Sequence, residues 1–411
     1  MSDVKDLLLR LSRASERSDP LVFAGREGII AETLGRTDVL PPTGDWGNTV
    51  LIEGAPGVGK TALLREISRK AQAVGATTLV QPNVPQPDDI ETIYAELAAG
   101  LVETPASVAR TTQTKTKGIS VGPAALRGSR QSGATVAPPR LASPHAVAAL
   151  RGDKPWRPSD KAVVFVDEVQ NVVPDSAAAG LLRALHTQQS IPVLLVCAGL
   201  SNSRAAMERA GVSRIGAANT FQLGRLPLAV AVDCVRRTLD IVRQQGLNGD
   251  DAATDRWSQR LASASDGWPR HLQNYLRACW LTLHGQQAPS LDTADLDSAI
   301  SRGDEFRESY NFERVEFAKV PFEVLAALYH RISAGQSLDT FDAVAVLGDA
   351  IDALPLRVRE RVRTTFADDD ACFEKLLGVG ALSTDGRGRC VSPVPSFAHF
   401  VLSQAQRSAS A

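Results

Sequence analysis

The chain has 411 residues, of which 44% are hydrophobic and 22% charged. At about 100–200 residues per domain this suits a globular protein of two or three domains and excludes a chain disordered throughout. Lys and Arg number 45 against 46 Asp and Glu, a net charge of −1, so attraction to nucleic acid or membrane has to be local, not global.

In chain order, residues 1–20 read as an amphipathic helix with Val4, Leu7, Leu8 and Leu11 on one stripe, ended by Asp19-Pro20. This stretch has no apolar core of the signal-peptide kind, and no apolar run reaches the 18 or more residues of a membrane span. The five cysteines, Cys197, Cys234, Cys279, Cys372 and Cys390, are scattered and never in CxxC spacing, so a reducing, cytoplasmic location with no membrane partner is expected. Asn48 to Gly54 reads as a buried strand running into a glycine-rich turn, 61–73 as a helix, 77–82 as a second strand, and 89–101 as a helix capped by Asp88.

Composition then changes. From Thr104 to Asp160 the chain is Ser, Thr, Gly, Pro, Ala and basic residues. Counted through Lys161, this stretch carries a net +8 and leaves −9 on the rest. It holds too few large apolar residues to offset its ordering entropy, and reads as a long insertion with a candidate hairpin near 119–127. Strands follow at 161–168, 190–197 and 219–223, separated by helical patterns at 177–186, 203–210 and 228–245. Short apolar strands alternating with helices predict an α/β fold with a parallel sheet covered on both faces. From Thr254 the pattern turns helical, with helices at about 254–265, 269–285 and 292–306.

The strongest chemical signal is Gly54-Ala55-Pro56-Gly57-Val58-Gly59-Lys60-Thr61, which fits GxxxxGK[ST] and is followed by Ala62 in the next helix. Glycines let backbone N–H groups converge on a polyphosphate, and the following helix adds its positive end. Lys60 can reach the β- and γ-phosphates, and the Thr61 hydroxyl can hold Mg²⁺. Val163-Val-Phe-Val-Asp167-Glu168 supplies the second half: Asp167 as a metal ligand, Glu168 as the group that polarises water. ATP and Mg²⁺ are the expected ligands. Lys60 and Asp167 lie 107 positions apart, and removing the 57 residues of 104–160 leaves a compact P-loop spacing.

The motif order resembles the AAA+ ATPases, and more narrowly the Orc1/Cdc6-like, ExeA-like and TniB/TnsC-like group. Phe23-Ala-Gly25-Arg26-Glu27 is similar to the box that precedes the phosphate loop in that group, Asp167-Glu-Val-Gln170 to its acidic motif, and Gly267-Trp-Pro-Arg270 to its sensor 2. The resemblance covers about residues 20–285. It implies that Gly25 and Arg26 lie near the adenine and that Arg270 senses the γ-phosphate from a helical lid. It also implies a polar sensor 1, Ser201 or Asn202 with Asn202 preferred, and an arginine finger from a neighbouring subunit, with Arg214 as candidate and a surface arginine as the alternative. A homo-oligomer is therefore expected. Trp268 is expected in the lid core, and the six histidines show no metal-ligand spacing.

The segment 373–394, with its helix, strand, Asp-Gly turn and second strand, resembles the winged helix that follows the lid in Orc1/Cdc6-like ATPases. The expected organisation is an N-terminal helix (1–20), a P-loop core (21–225) interrupted by 104–160, a helical lid (226–306) and a winged-helix-like domain (307–411). Arg387 and Arg389 on the wing, the Arg357–Arg363 run, and the basic insertion are candidate DNA contacts, whereas Asp368, Asp369, Asp370 and Glu374 would repel phosphate. Two functions stay open: a DNA-associated ATPase, and a STAND-like signalling or defence switch that assembles around a protein partner. A non-catalytic nucleotide scaffold is disfavoured by the intact Glu168.

Overall fold

A computed structural model describes residues 2–17, 20–38, 48–86, 88–90, 92–93, 96–97, 161–187, 192–385 and 387–410. Insertion 104–160, with its expected hairpin, and most of the helix expected over 89–101 lie outside these residues.

Five strands form one parallel sheet: β1 (Thr49–Gly54), β2 (Thr77–Gln81), β3 (Ala162–Val166), β4 (Val193–Gly199) and β5 (Thr220–Leu223), in the spatial order β2-β3-β4-β1-β5. Every residue of β1, β3 and β4 is buried, as the apolar runs 50–52, 162–166 and 193–198 suit strands covered on both faces. Strand β4 sits between β1 and β3, so the turns leaving these three strands gather at one edge, where open α/β sheets place their ligands.

Around the sheet lie α2 (Glu27–Thr37), α3 (Lys60–Ala73), α4 (Ala177–Thr187) and α5 (Ser203–Arg209). The rest of the described chain is mostly helical, with one short hairpin. The helices are α1 (Ser2–Glu16), α6 (Leu228–Arg243), α7 (Asp251–Ala264), α8 (Pro269–His284), α9 (Leu296–Ala318), α10 (Phe322–Ser333), α11 (Thr340–Asp352), α12 (Leu356–Thr365), α13 (Asp369–Gly378) and α14 (Pro395–Ser410). The hairpin pairs β6 (Ser383–Thr384) with β7 (Cys390–Val391). Aspartates start four of the helices. Asp250, Asp295, Asp339 and Asp368 each accept a hydrogen bond from the backbone N–H three residues on, satisfying a donor that the first turn leaves orphaned.

Helix α9 differs from expectation. It runs twelve residues past 306, through the position where lid and C-terminal domain were expected to part. Its buried face is made of Ala299, Gly303, Tyr310, Asn311, Val315 and Ala318; past 306 that face includes Asn311 while Phe312 and Phe317 are exposed, so no clean apolar stripe announces the continuation.

Three large cores among the described residues hold these layers, with a small fourth at Leu226, Ala231 and Ala262. On one sheet face Leu51, Val164 and Leu195 pack with Leu181, Leu182, Leu185 and Met207. On the other, Ile52, Phe165 and Val196 continue through Val58 and Trp268 into Val324, Phe373 and Phe397 of the C-terminal helices. The lid has its own core, where Leu8 of α1 joins Val235, Leu239, Trp257, Tyr275 and Trp280. Each fully buried side chain of this size contributes roughly 1.5–3 kcal/mol of hydrophobic stabilisation. The C-terminal helices are thus packed onto the sheet that carries the phosphate turn. All five cysteines are buried, with no disulfide between them, and among the described residues no helix is long and apolar enough to cross a membrane.

Candidate nucleotide site

The turn between β1 and α3 wraps a cavity of about 1050 Å³, just above the roughly 300–1,000 Å³ of small-molecule sites. Pro56, Gly57, Val58, Gly59, Lys60, Thr61 and Ala62 line it from one side, and Arg26, Glu168 and Arg270 from others. Gly57 has φ +76°, and a Cβ there would lie 2.6 Å from Cβ of Arg270 and 2.9 Å from the Tyr310 hydroxyl. Only glycine serves where the turn needs left-handed backbone and two helices press on it.

Lys60 is 6% exposed, and its ammonium donates to the carbonyls of Gly54 at 2.8 Å and Ala55 at 3.2 Å. Burial pushes its pKa down to about 8, against the pull of Glu168 and Asp167, with Arg314 adding to the depression. The Thr61 hydroxyl donates to Asp167 Oδ2 at 2.6 Å. Asp167 is buried, and desolvation raises its pKa above the usual carboxylate range despite that bond. A buried carboxylate at the end of β3, tied to a hydroxyl at the start of α3, is the oxygen pair that a Mg²⁺ ion with phosphate ligands takes. Such an ion needs no dense ligand cage, and among the described residues no group of three or more His, Cys, Asp or Glu is placed to form one.

Glu168 follows with φ +56°, a left-handed conformation rare for a side chain of its size. The Gln170 amide donates to its carboxylate, while the Gln170 carbonyl accepts from Leu200 N at 3.1 Å. Gln170 therefore joins the acid after β3 to the turn after β4. Glu53, also acidic and buried, is held by Arg204 N at 2.9 Å and by the Gln222 amide, and belongs to the packing beside the sheet.

At the other end of the cavity, Arg26 donates to the carbonyl of Gly224, with burial depressing its pKa, and Gly25 packs against Val230 and Leu226. Arg270 opens α8, its backbone N–H donating to Gly57 O at 3.0 Å and its guanidinium to the Glu16 carbonyl of α1 at 2.9 Å. Trp268 is buried and its indole donates to Pro56 O at 3.3 Å. Asn202 and Arg214 stand apart from the cavity lining. Asn202 starts α5 with its side-chain oxygen buried and without a hydrogen-bond partner among the described residues. Arg214 is exposed in the loop after α5, at φ +65°. Ser201 accepts a hydrogen bond from Ser383 of the hairpin at 2.9 Å, so it faces the C-terminal region.

Sequence motifs do not announce Tyr310 and Arg314 of α9, which also line the cavity. They stand one turn apart on one face, 250 residues beyond the phosphate turn. The only local signal is their i, i+4 spacing on a helix that follows the lid.

The family model of the AAA domain matches residues 47–200. Among solved structures, a Walker-type ATPase of Pyrococcus abyssi is 14% identical with a TM-score of 0.52, the match covering 94% of this chain and 97% of that one. The Orc1 protein of Aeropyrum pernix, solved in complex with DNA, is 17% identical over 95% of both chains at a TM-score of 0.40. Cdc6p of Pyrobaculum aerophilum is 13% identical over 95% of this chain and 96% of that one at 0.39. No curated protein sequence matches.

Proposed function

We propose, from the AAA+ P-loop core that contains residues 47–200, that the protein binds ATP with Mg²⁺, hydrolyses it, and works as a nucleotide-driven cytoplasmic switch on DNA or a DNA-associated partner. The observation that carries this is one cavity holding the Lys60 turn and Glu168, with Thr61 bonded to Asp167 beside it. Thr61 and Asp167 would hold the metal, which when bound neutralises charge on the phosphates. Lys60 and the amides of the 57–61 turn bind phosphate oxygens. Glu168, fixed by Gln170, orients the attacking water for in-line displacement of the γ-phosphoryl group. Arg270 neutralises transition-state charge in cis. Arg214, exposed and outside the cavity, serves a neighbouring subunit of a homo-oligomer, where such an arginine contributes roughly 10³–10⁵ in rate.

We read 21–225 as the ATPase core with 104–160 inserted, 226–306 as the lid and 307–411 as a winged-helix-like unit. DNA contact falls to the basic insertion more than to the hairpin. Arg389 is spent on Asp385 at 2.8 Å, holding that carboxyl down to about 2. The second reading, a STAND-like switch around a protein partner, draws on the C-terminal helices packed against the phosphate turn.

The test is ATP turnover of the full chain across protein concentration, with and without DNA. Lys60→Ala is expected to lose ATP binding, and Glu168→Gln to bind ATP and retain it unhydrolysed. Either variant turning over like wild type defeats the site. DNA stimulation with steep salt dependence supports the first reading, and stimulation by a protein partner alone the second.

A further inference from the structure

Tyr310 is buried between two guanidinium groups. Arg314 lies over its ring at 5.0 Å from the centroid, Arg270 at 5.6 Å, and its hydroxyl abuts the Gly57 backbone. Arg314 is half-buried in the cavity wall. One of its terminal nitrogens donates to the Tyr310 hydroxyl at 3.1 Å, the other to the Val379 carbonyl at 3.2 Å, and its Nε is buried with no partner among the described residues. All of these partners are neutral, and no carboxylate among the described residues lies within ion-pair distance. A half-buried guanidinium beside Lys60, with no carboxylate partner among the described residues, is positioned to be stabilised by an anion bound in the cavity.

We propose that Arg314 is a second phosphate-reading arginine of this site, delivered by α9, and that it recognises the terminal phosphate of ATP. The inference rests on the ATP-site reading above. A guanidinium fork in the cavity wall, held there by two neutral acceptors, suits bidentate phosphate binding, which a lysine cannot copy. Arg314 also holds Val379, the residue after α13, so a terminal phosphate competes with a carbonyl of the C-terminal region for the same donors. ATP then weakens that tether and ADP leaves it intact.

The experiment is calorimetric titration of the full chain with ADP and with a non-hydrolysable ATP analogue, in wild type, Lys60→Ala and Arg314→Gln. Wild type binding both ligands and Lys60→Ala losing both establishes the site without reference to Arg314. Arg314→Gln is then expected to keep its ADP affinity and to lose on the order of tenfold or more for the triphosphate. An unchanged ratio between the two ligands, whether both bind as in wild type or both weaken equally, overturns the proposal. Wild type binding neither ligand removes the site and the proposal with it. Should Arg314→Gln fail to fold, Arg314→Lys, which keeps the charge and loses the fork, is expected to lower the same ratio, and an unchanged ratio there overturns the proposal.

Discussion

His271 follows Arg270 in the first turn of α8, 1% exposed and between the rings of Trp268 and Tyr310. Desolvation, with Arg307 and Arg270 adding to it, pushes its pKa down to about 3, so the folded protein keeps it neutral. An unfolded histidine titrates near 6.5. Between these values the unfolded chain binds one more proton than the folded one, so stability is full above pH 6.5 and falls as pH drops toward 3. His271→Gln is expected to remove up to about 1.4 kcal/mol per pH unit from the slope of unfolding free energy across that window. Denaturant titrations of both proteins between pH 7 and 4 decide it, and parallel slopes would defeat the assignment. The same neighbourhood shows what a sequence can disclose about a site. Lys60, Thr61, Asp167 and Glu168 are legible because the phosphate chemistry proposed for them fixes residue types and spacing at two strand ends. Arg314 is not, because nothing near it in the chain demands an arginine; its meaning comes from where α9 passes.

Elements were legible wherever the apolar pattern is plain, as a run in the strands buried on both faces or a stripe on the helices. The apolar runs of β1, β3 and β4 and the stripes of α4, α6 and α8 are visible in the sequence alone, and strand ends shift by no more than three residues. Helix α9 was legible as far as 306, but its continuation was not, because there Asn311 faces inward while Phe312 and Phe317 face out and blur the stripe. The turn after α13 was equally hidden. Gly380 has φ +67°, and a Cβ there would collide with Pro56 of the phosphate turn. Gly380→Ala is therefore strained by its backbone and by its neighbour, and is expected to cost about 1–3 kcal/mol. It should also weaken nucleotide binding by displacing Pro56. Chemical denaturation and nucleotide titration of this variant are the measurements, and wild-type values in both would show that the close approach is unimportant.

Across the whole molecule, α1 is joined to the lid more firmly than its place at the chain start suggests. Leu8 is fully buried in the lid core, Glu16 pairs with Arg277 at 2.9 Å, and the Glu16 carbonyl receives Arg270. Leu8→Ala is expected to destabilise by roughly 2–5 kcal/mol, the range for emptying a core leucine site. A melting temperature equal to wild type would mean that α1 is dispensable. The amphipathic stripe of α1 shows in the sequence, but its docking partner does not, since the lid lies more than 200 residues away.

Trp268 joins these scales, because its indole N–H donates to the Pro56 carbonyl from within a core that continues into the C-terminal helices. Indole emission depends on the polarity and hydrogen bonding around the ring. The chain thus contains an unlabelled optical reporter attached directly to its phosphate turn, read on its own once the other four tryptophans, Trp46, Trp156, Trp257 and Trp280, are replaced by phenylalanine. Loading of the cavity, and any departure of the C-terminal helices that accompanies it, can be followed in real time by light alone.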